Sequence, residues 1–178
     1  MANPYHLTTA KRNYHVQPGE VFLSKEDMRI TTLLGSCVAV CIWDSHRKMA
    51  GMNHIMLPIT MEEEFASTKY GNVATFVLYD MIRKEGSLPR FLEAQVFGGA
   101  SRLALVDAGP AMNVGARNIE ITLKVLEKLK VKVVRKEVGG HRGRKIYFDV
   151  QTGLVKASFI KRFNFLDERN RSLNNNRR

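Results

Sequence analysis

Residues 38–43, Val-Ala-Val-Cys-Ile-Trp, form the longest unbroken apolar run in this 178-residue chain. Spanning a bilayer as a helix takes about 20 such residues, so the run is far too short to cross one. It is rich in β-branched and aromatic side chains and apolar at both parities, which predicts a strand buried on both faces. Residues 44–48, Asp-Ser-His-Arg-Lys, read as a turn, and residues 49–57 as a second strand stopped by Pro58. A tight hairpin centred between Ser45 and His46 would place Cys37 directly opposite His54. Residues opposite one another on an antiparallel pair share a face, so thiol and imidazole could meet there as nucleophile and base. The geometry is conditional: a slip of one residue moves His54 to the other face, and Ser45-His46 is not a favoured two-residue turn.

Around this hairpin, residues 20–25 and 29–34 read as short strands after a polar lead-in. Val73, Phe76, Val77, Met81 and Ile82 recur at helical spacing, with Gly86 as the expected C-cap. Residues 92–97 form a strand running into Gly98-Gly99-Ala100, and residues 101–114 a loop. Ile119, Leu123 and Leu126 mark a second amphipathic helix beginning near Gly115. Residues 132–138, 145–150 and 154–160 close the domain as strands, with Gln151-Thr152-Gly153 as the last turn. Two helices and about seven strands give an α+β fold: a single layered α/β domain with β-sheets packed together and flanking helices. The expected division is a lead-in over residues 1–17, one domain over 18–163, and a basic, disordered tail over 164–178.

Cys37 and Cys41 lie roughly 13 Å apart along a strand, too far to bond to each other. Free thiols and the lack of an apolar core in the first twenty or so residues favour the cytoplasm. The net charge of +11 implies acidic partners without naming them. Neither thiols nor histidines stand at a recognised metal-ligand spacing, and the glycines match no dinucleotide or phosphate-binding loop, so neither metal nor cofactor is expected.

The residue types point to amide chemistry. Hydrolysing a side-chain amide takes a strong nucleophile and an acid to protonate the departing ammonia. A cysteine thiolate and a paired histidine supply both. The oxyanion formed on attack needs N–H donors, and the turn Gly35-Ser36-Cys37 offers them, with glycine freeing the backbone. The bland alternative is a buried structural thiol, the usual fate of free cysteine; Cys41, inside the apolar run, takes that reading.

The string Thr31-Thr32-Leu33-Leu34-Gly35-Ser36-Cys37-Val38-Ala39-Val40-Cys41 closely resembles the signature of the CheD family of chemoreceptor glutamine deamidases. The likeness continues through Asn53-His54-Ile55-Met56-Leu57-Pro58, Gly98-Gly99-Ala100, Asn113-Val114-Gly115-Ala116-Arg117-Asn118 and Gly139-Gly140-His141-Arg142-Gly143-Arg144, in family order. The resemblance implies a Cys-His-Thr set that converts glutamines of methyl-accepting chemotaxis receptors to glutamate through a thioester, and that can hydrolyse receptor methyl esters. Carried over, Cys37 is the nucleophile, His54 the base and then acid, and Thr31 the residue orienting the imidazole, with Thr32 as the neighbouring alternative. A straight strand would hold Thr31 about 20 Å from Cys37, so the chain must fold back at Leu34-Gly35-Ser36. Gly35, Ser36, Gly98, Gly99, Arg117 and Asn118 are candidates for substrate contact or site support. The expected partners are receptor cytoplasmic helical bundles and a CheC-type phosphatase. Asn72 stands where relatives often carry aspartate, so that carboxylate's role does not transfer. Two rival readings remain: a basic nucleic-acid-binding module, opposed by the absence of an aromatic platform or zinc-finger pattern, and a non-catalytic chemotaxis adaptor.

Overall fold

The apolar run becomes β4 (Val38–Asp44), the middle strand of a five-stranded sheet. The computed structural model describes residues 12–62, 66–101 and 113–160. The five-stranded sheet has the order β2 (Val21–Ser24), β5 (Met49–Asn53), β4, β6 (Leu92–Gly98), β7 (Lys132–Val138). A four-stranded sheet has the order β1 (Arg12–His15), β3 (Met28–Leu34), β8 (Arg144–Asp149), β9 (Val155–Phe159). Helices α1 (Gly71–Lys84) and α2 (Val114–Lys128) complete the domain. The α+β class expected from the sequence is the one found.

The two faces of β4 explain its uninterrupted hydrophobicity. Ala39 and Cys41 enter a core between the sheets with Ile30, Leu34, Met52, Phe97, Ile146 and Phe148. Val38, Val40 and Ile42 enter a second core under the helices, with Leu78, Ile82 and Leu126. The layers are therefore sheet, sheet, helices. Each fully buried Leu, Ile or Phe removes enough apolar area from water to contribute about 1.5–3 kcal/mol. Strands with one wet face alternate instead: β8 reads buried and part-exposed in turn at its start, as period-2 geometry requires.

Two sequence expectations need correction. Arg12–His15, inside the stretch read as lead-in, is a strand pairing in parallel with β3, and the adjoining Val16 is fully buried. The polar sequence Arg-Asn-Tyr-His hides it because an edge strand with both faces partly wet has no apolar alternation. The expected tail, residues 164–178, lies outside the described residues. The hairpin register also differs. Asp44 pairs with Met49 and Cys41 with Met52, so the loop is the four residues 45–48 rather than a two-residue turn. Asp44 Oδ1 accepts the N–H groups of His46 (2.9 Å) and Arg47 (3.0 Å), and Lys48 adopts φ 51°. An aspartate capping its own loop thus supplies the turn chemistry that Ser45-His46 lacks.

Candidate active site

The observed register sets Ala39, not Cys37, across from His54. Cys41 pairs with Met52 and Val38 bridges Ile55 through reciprocal backbone bonds of 3.0 and 2.8 Å. The displacement is two residues, so parity survives. Cys37 shares the inter-sheet face of Ala39 and Cys41 and packs against that core. Cys37 and His54 are diagonal neighbours, a relation that places Cβ atoms about 7–8 Å apart or somewhat closer, a gap that an imidazole ring and a thiol can close between them. No hydrogen bond links the two in this structure among the described residues.

His54 is buried, 3% exposed, and its orientation is fixed by the other sheet. In β3 the even-numbered Met28, Ile30 and Leu34 face the inter-sheet core, so Thr32 faces it too. Thr32 Oγ1 lies 2.8 Å from His54 Nδ1 and donates to the Val16 carbonyl at 2.9 Å. A hydroxyl has one proton. Having given it to Val16, Thr32 can only accept, so Nδ1 carries the ring proton and Nε2 keeps its lone pair. Thr31 points the other way, donating to the Tyr14 carbonyl at 3.2 Å and lying 3.2 Å from His15 Nδ1. The threonine on the imidazole is Thr32; strand parity alone would have selected it. The chain does turn at Gly35-Ser36, where β3 of one sheet gives way to β4 of the other, and the threonine this turn leaves at the ring is Thr32 rather than Thr31.

Desolvation holds the His54 pKa below its ordinary 6.5; the Val16 carbonyl opposes this and His15 adds to it. Burial raises the Cys37 pKa above 9.0, while its own backbone N–H pulls the other way. Both shifts favour the uncharged forms, a thiol and an imidazole whose Nε2 keeps its lone pair. Cys37 is half-buried; Cys41 is buried, and burial raises its pKa strongly. Only the first can meet a large substrate.

The turn before Cys37 is held from three sides. Ala100 N–H donates to Gly35 O at 2.9 Å, Asn118 Nδ2 to Ser36 O at 3.2 Å, and Gly99 N–H to Cys37 O at 2.7 Å. With these three carbonyls drawn inward, the polar groups left for a developing oxyanion are N–H groups, and that of Cys37 meets no backbone carbonyl among the described residues. Asn118 is fully buried and also donates to Met56 O at 3.1 Å, so one amide spans the segments that carry the thiol and the imidazole. Arg117, its neighbour, is exposed on α2.

The glycine that this geometry requires is Gly98. Its φ is +105°, and a Cβ there would stand 2.2 Å from the Cys37 carbonyl oxygen. Gly99 follows at φ +69°. Gly35, expected to free the turn, has nothing within 4 Å of an added Cβ and no positive φ. Gly98 permits the close approach of β6 to the cysteine loop, and Gly99 the approach of α2, where an added Cβ would stand 2.5 Å from the Ile119 side chain.

A half-buried thiol and an imidazole with one nitrogen committed thus share one face, beside a Cys37 N–H that meets no backbone carbonyl among the described residues. The chain belongs to the family described as CheD chemotactic sensory transduction, which matches residues 56–158. A probable chemoreceptor glutamine deamidase CheD of Trichlorobacter lovleyi is 42% identical over 144 residues, 81% of this chain and 88% of the relative. A protein of the same description from Sulfurimonas denitrificans is 36% identical over 151 residues, 85% and 96% of the two chains. A probable chemoreceptor glutamine deamidase CheD 1 of Anaeromyxobacter dehalogenans is 37% identical over 139 residues, 78% and 80%. No helix among the described residues is long and apolar enough to cross a membrane.

Proposed function

We propose that this protein deamidates glutamine side chains of chemotaxis receptors, with Cys37 as nucleophile and His54 as general base and acid. Cys37 Sγ attacks the amide carbon while His54 Nε2 takes the thiol proton. The oxyanion is met by the Cys37 N–H. Collapse breaks the C–N bond, and the proton held on Nε2 leaves with ammonia. Water then attacks the thioester, giving up a proton to Nε2. The C–S bond breaks, sulfur regains that proton, and the receptor carries glutamate. A glutamyl methyl ester would enter the same thioester with methanol leaving, which makes methylesterase activity a corollary.

The observation that carries this reading is the committed Nδ1: because Thr32 already donates to Val16, the imidazole is held in the tautomer that a base facing Cys37 needs. The relatives' names supply the substrate class. A reducing, cytoplasmic setting suits a thiol that works uncombined, and a CheC-type phosphatase is the proposed regulatory partner. The test is mass analysis of a receptor cytoplasmic fragment incubated with the protein. Wild type should convert specific glutamines to glutamate, Cys37→Ala should convert none, and Cys41→Ala should retain the activity. Conversion by Cys37→Ala at the wild-type rate sinks the mechanism.

A further inference from the structure

The loop between β7 and β8, Gly-Gly-His-Arg-Gly, and Arg144 at the start of β8 take no part in the chemistry above, yet the loop is tied to the cysteine loop. Gly139 N–H donates to Gly98 O at 2.8 Å, and Ser101 N–H donates to Gly140 O at 2.8 Å. Gly98 and Gly99 in turn abut Cys37, so the three loops form one continuous platform.

Two guanidiniums share one aromatic ring on that platform. Arg142 Cζ lies 4.7 Å and Arg144 Cζ 5.3 Å from the Phe159 centroid. The Phe159 ring is more than half exposed, whereas Arg144 is 7% exposed. Arg144 Nη1 donates to Gly139 O at 2.9 Å, but its Nε is buried with no partner. Burial depresses the Arg144 pKa, with Glu137 opposing. Glu137 is itself taken by Arg135, through Nε at 3.0 Å and also through Nη2. Arg144, a buried cation with an unpartnered donor and no carboxylate in contact among the described residues, is costly to hold unless an anion arrives, and the exposed Arg142 adds a second charge beside it. A guanidinium pair over an apolar floor suits a planar carboxylate, which accepts two parallel N–H bonds.

We propose that Arg142 and Arg144, seated on Phe159, bind a carboxylate of the protein substrate and so position its target glutamine over Cys37. This rests on the deamidase reading and assigns that site a specificity element. The reach is sufficient. Arg144 pairs with Leu34, three residues before Cys37, so the backbones lie within about 15 Å of each other. The carboxylate must therefore sit on the same substrate surface as the glutamine.

The experiment measures kcat and KM of Arg142→Ala, Arg142→Glu and Arg142→Lys on a receptor cytoplasmic fragment. Alongside, it measures the rate of Cys37 alkylation by iodoacetamide and the fragment's Kd by fluorescence anisotropy. Arg142 is exposed, so these variants leave the core intact; Arg144→Lys, which keeps charge but loses the fork, probes the buried partner. Loss of a charge-assisted bond predicts a KM rise on the order of tenfold for Arg142→Ala, a larger rise for Arg142→Glu and partial recovery for Arg142→Lys. The kcat and the alkylation rate should hold, and the salt dependence of KM should flatten. Unchanged KM and Kd in both Arg142→Ala and Arg142→Glu overturn the proposal. So does a fall in kcat at constant KM, or loss of RNA oligonucleotide binding with KM unchanged. If wild type turns over no glutamine, the deamidase reading fails, and the Kd series still decides whether the arginines bind the fragment.

Discussion

Thr32→Val separates the two threonines with a nearly isosteric change. Thr32 is fully buried, and the substitution removes one hydroxyl that donates to Val16 O at 2.9 Å and meets His54 Nδ1 at 2.8 Å. Two buried polar groups lose a partner, at about 1–3 kcal/mol each where nothing replaces it. The Val16 carbonyl also acts on the imidazole and can take the Nδ1 proton directly, so the total falls to roughly 2–3 kcal/mol. For a chain of this size that lowers Tm by about 4–12 °C. The ring must shift to reach Val16, and loss of about 1.4 kcal/mol of alignment between Nε2 and the thiol lowers kcat about tenfold, with KM unchanged because the substrate does not touch Thr32. Thr31→Val loses bonds only on the outer face of its sheet, and should cost no more than about 1 kcal/mol and leave kcat within about twofold of wild type. Deamidation of a receptor fragment followed by mass spectrometry, beside thermal unfolding, measures both. A tenfold loss in Thr31→Val with full activity in Thr32→Val would refute the assignment of the imidazole to Thr32.

Because desolvation lowers the His54 pKa, the base form persists below pH 6.5, so the acid limb of kcat/KM should fall at lower pH than an ordinary imidazole gives. Folded His54 binds fewer protons than unfolded His54 in that window, so stability should drop as pH falls through 6.5 toward the folded value, and His54→Gln should flatten that slope of Tm against pH. Gly98→Ala would drive a methyl into the Cys37 carbonyl and strain a φ of +105°. It should displace the cysteine loop, cost about 2 kcal/mol or more, and slow both deamidation and Cys37 alkylation; a variant with wild-type alkylation and Tm would show that the close approach is not needed.

The sequence carried the strands whose apolar residues are constrained from two sides, and lost those whose pattern is set by partners. Residues 132–138 match β7 without adjustment, and β4 was legible because both its faces are cores. β1 was invisible: its reason for being a strand is the vacant edge of β3, which no local pattern encodes. The face shared by Cys37 and His54 was legible because parity tolerates a two-residue displacement; the register was not, because the loop length depends on Asp44 folding back onto its own turn. Asn118 was a candidate by position in a motif, but its bonds to Ser36 and Met56 join segments far apart in the chain. Thr32 was within reach of sequence reasoning. Ile30 and Leu34 are apolar partners at its parity, and an inward threonine between them signals a buried hydrogen bond.

The same geometry explains why one cysteine is suited to chemistry and the other is not, though they share a face. Cys41 lies within β4, between Met52 and Gln95 on the flanking strands, and burial suppresses its ionisation. Cys37 lies one residue beyond the strand, where the backbone has left the ladder and its N–H is no longer claimed by a carbonyl. A nucleophile needs three things at once: access, a base, and donors for the oxyanion. At the strand end the inter-sheet core still supplies the enclosed imidazole, while the turn exposes the sulfur and releases the N–H. Moving the thiol inward would bury it with its donor consumed by the sheet; moving it outward would carry it beyond reach of His54. On the proposed mechanism, the end of β4 is the position in this hairpin that meets all three demands.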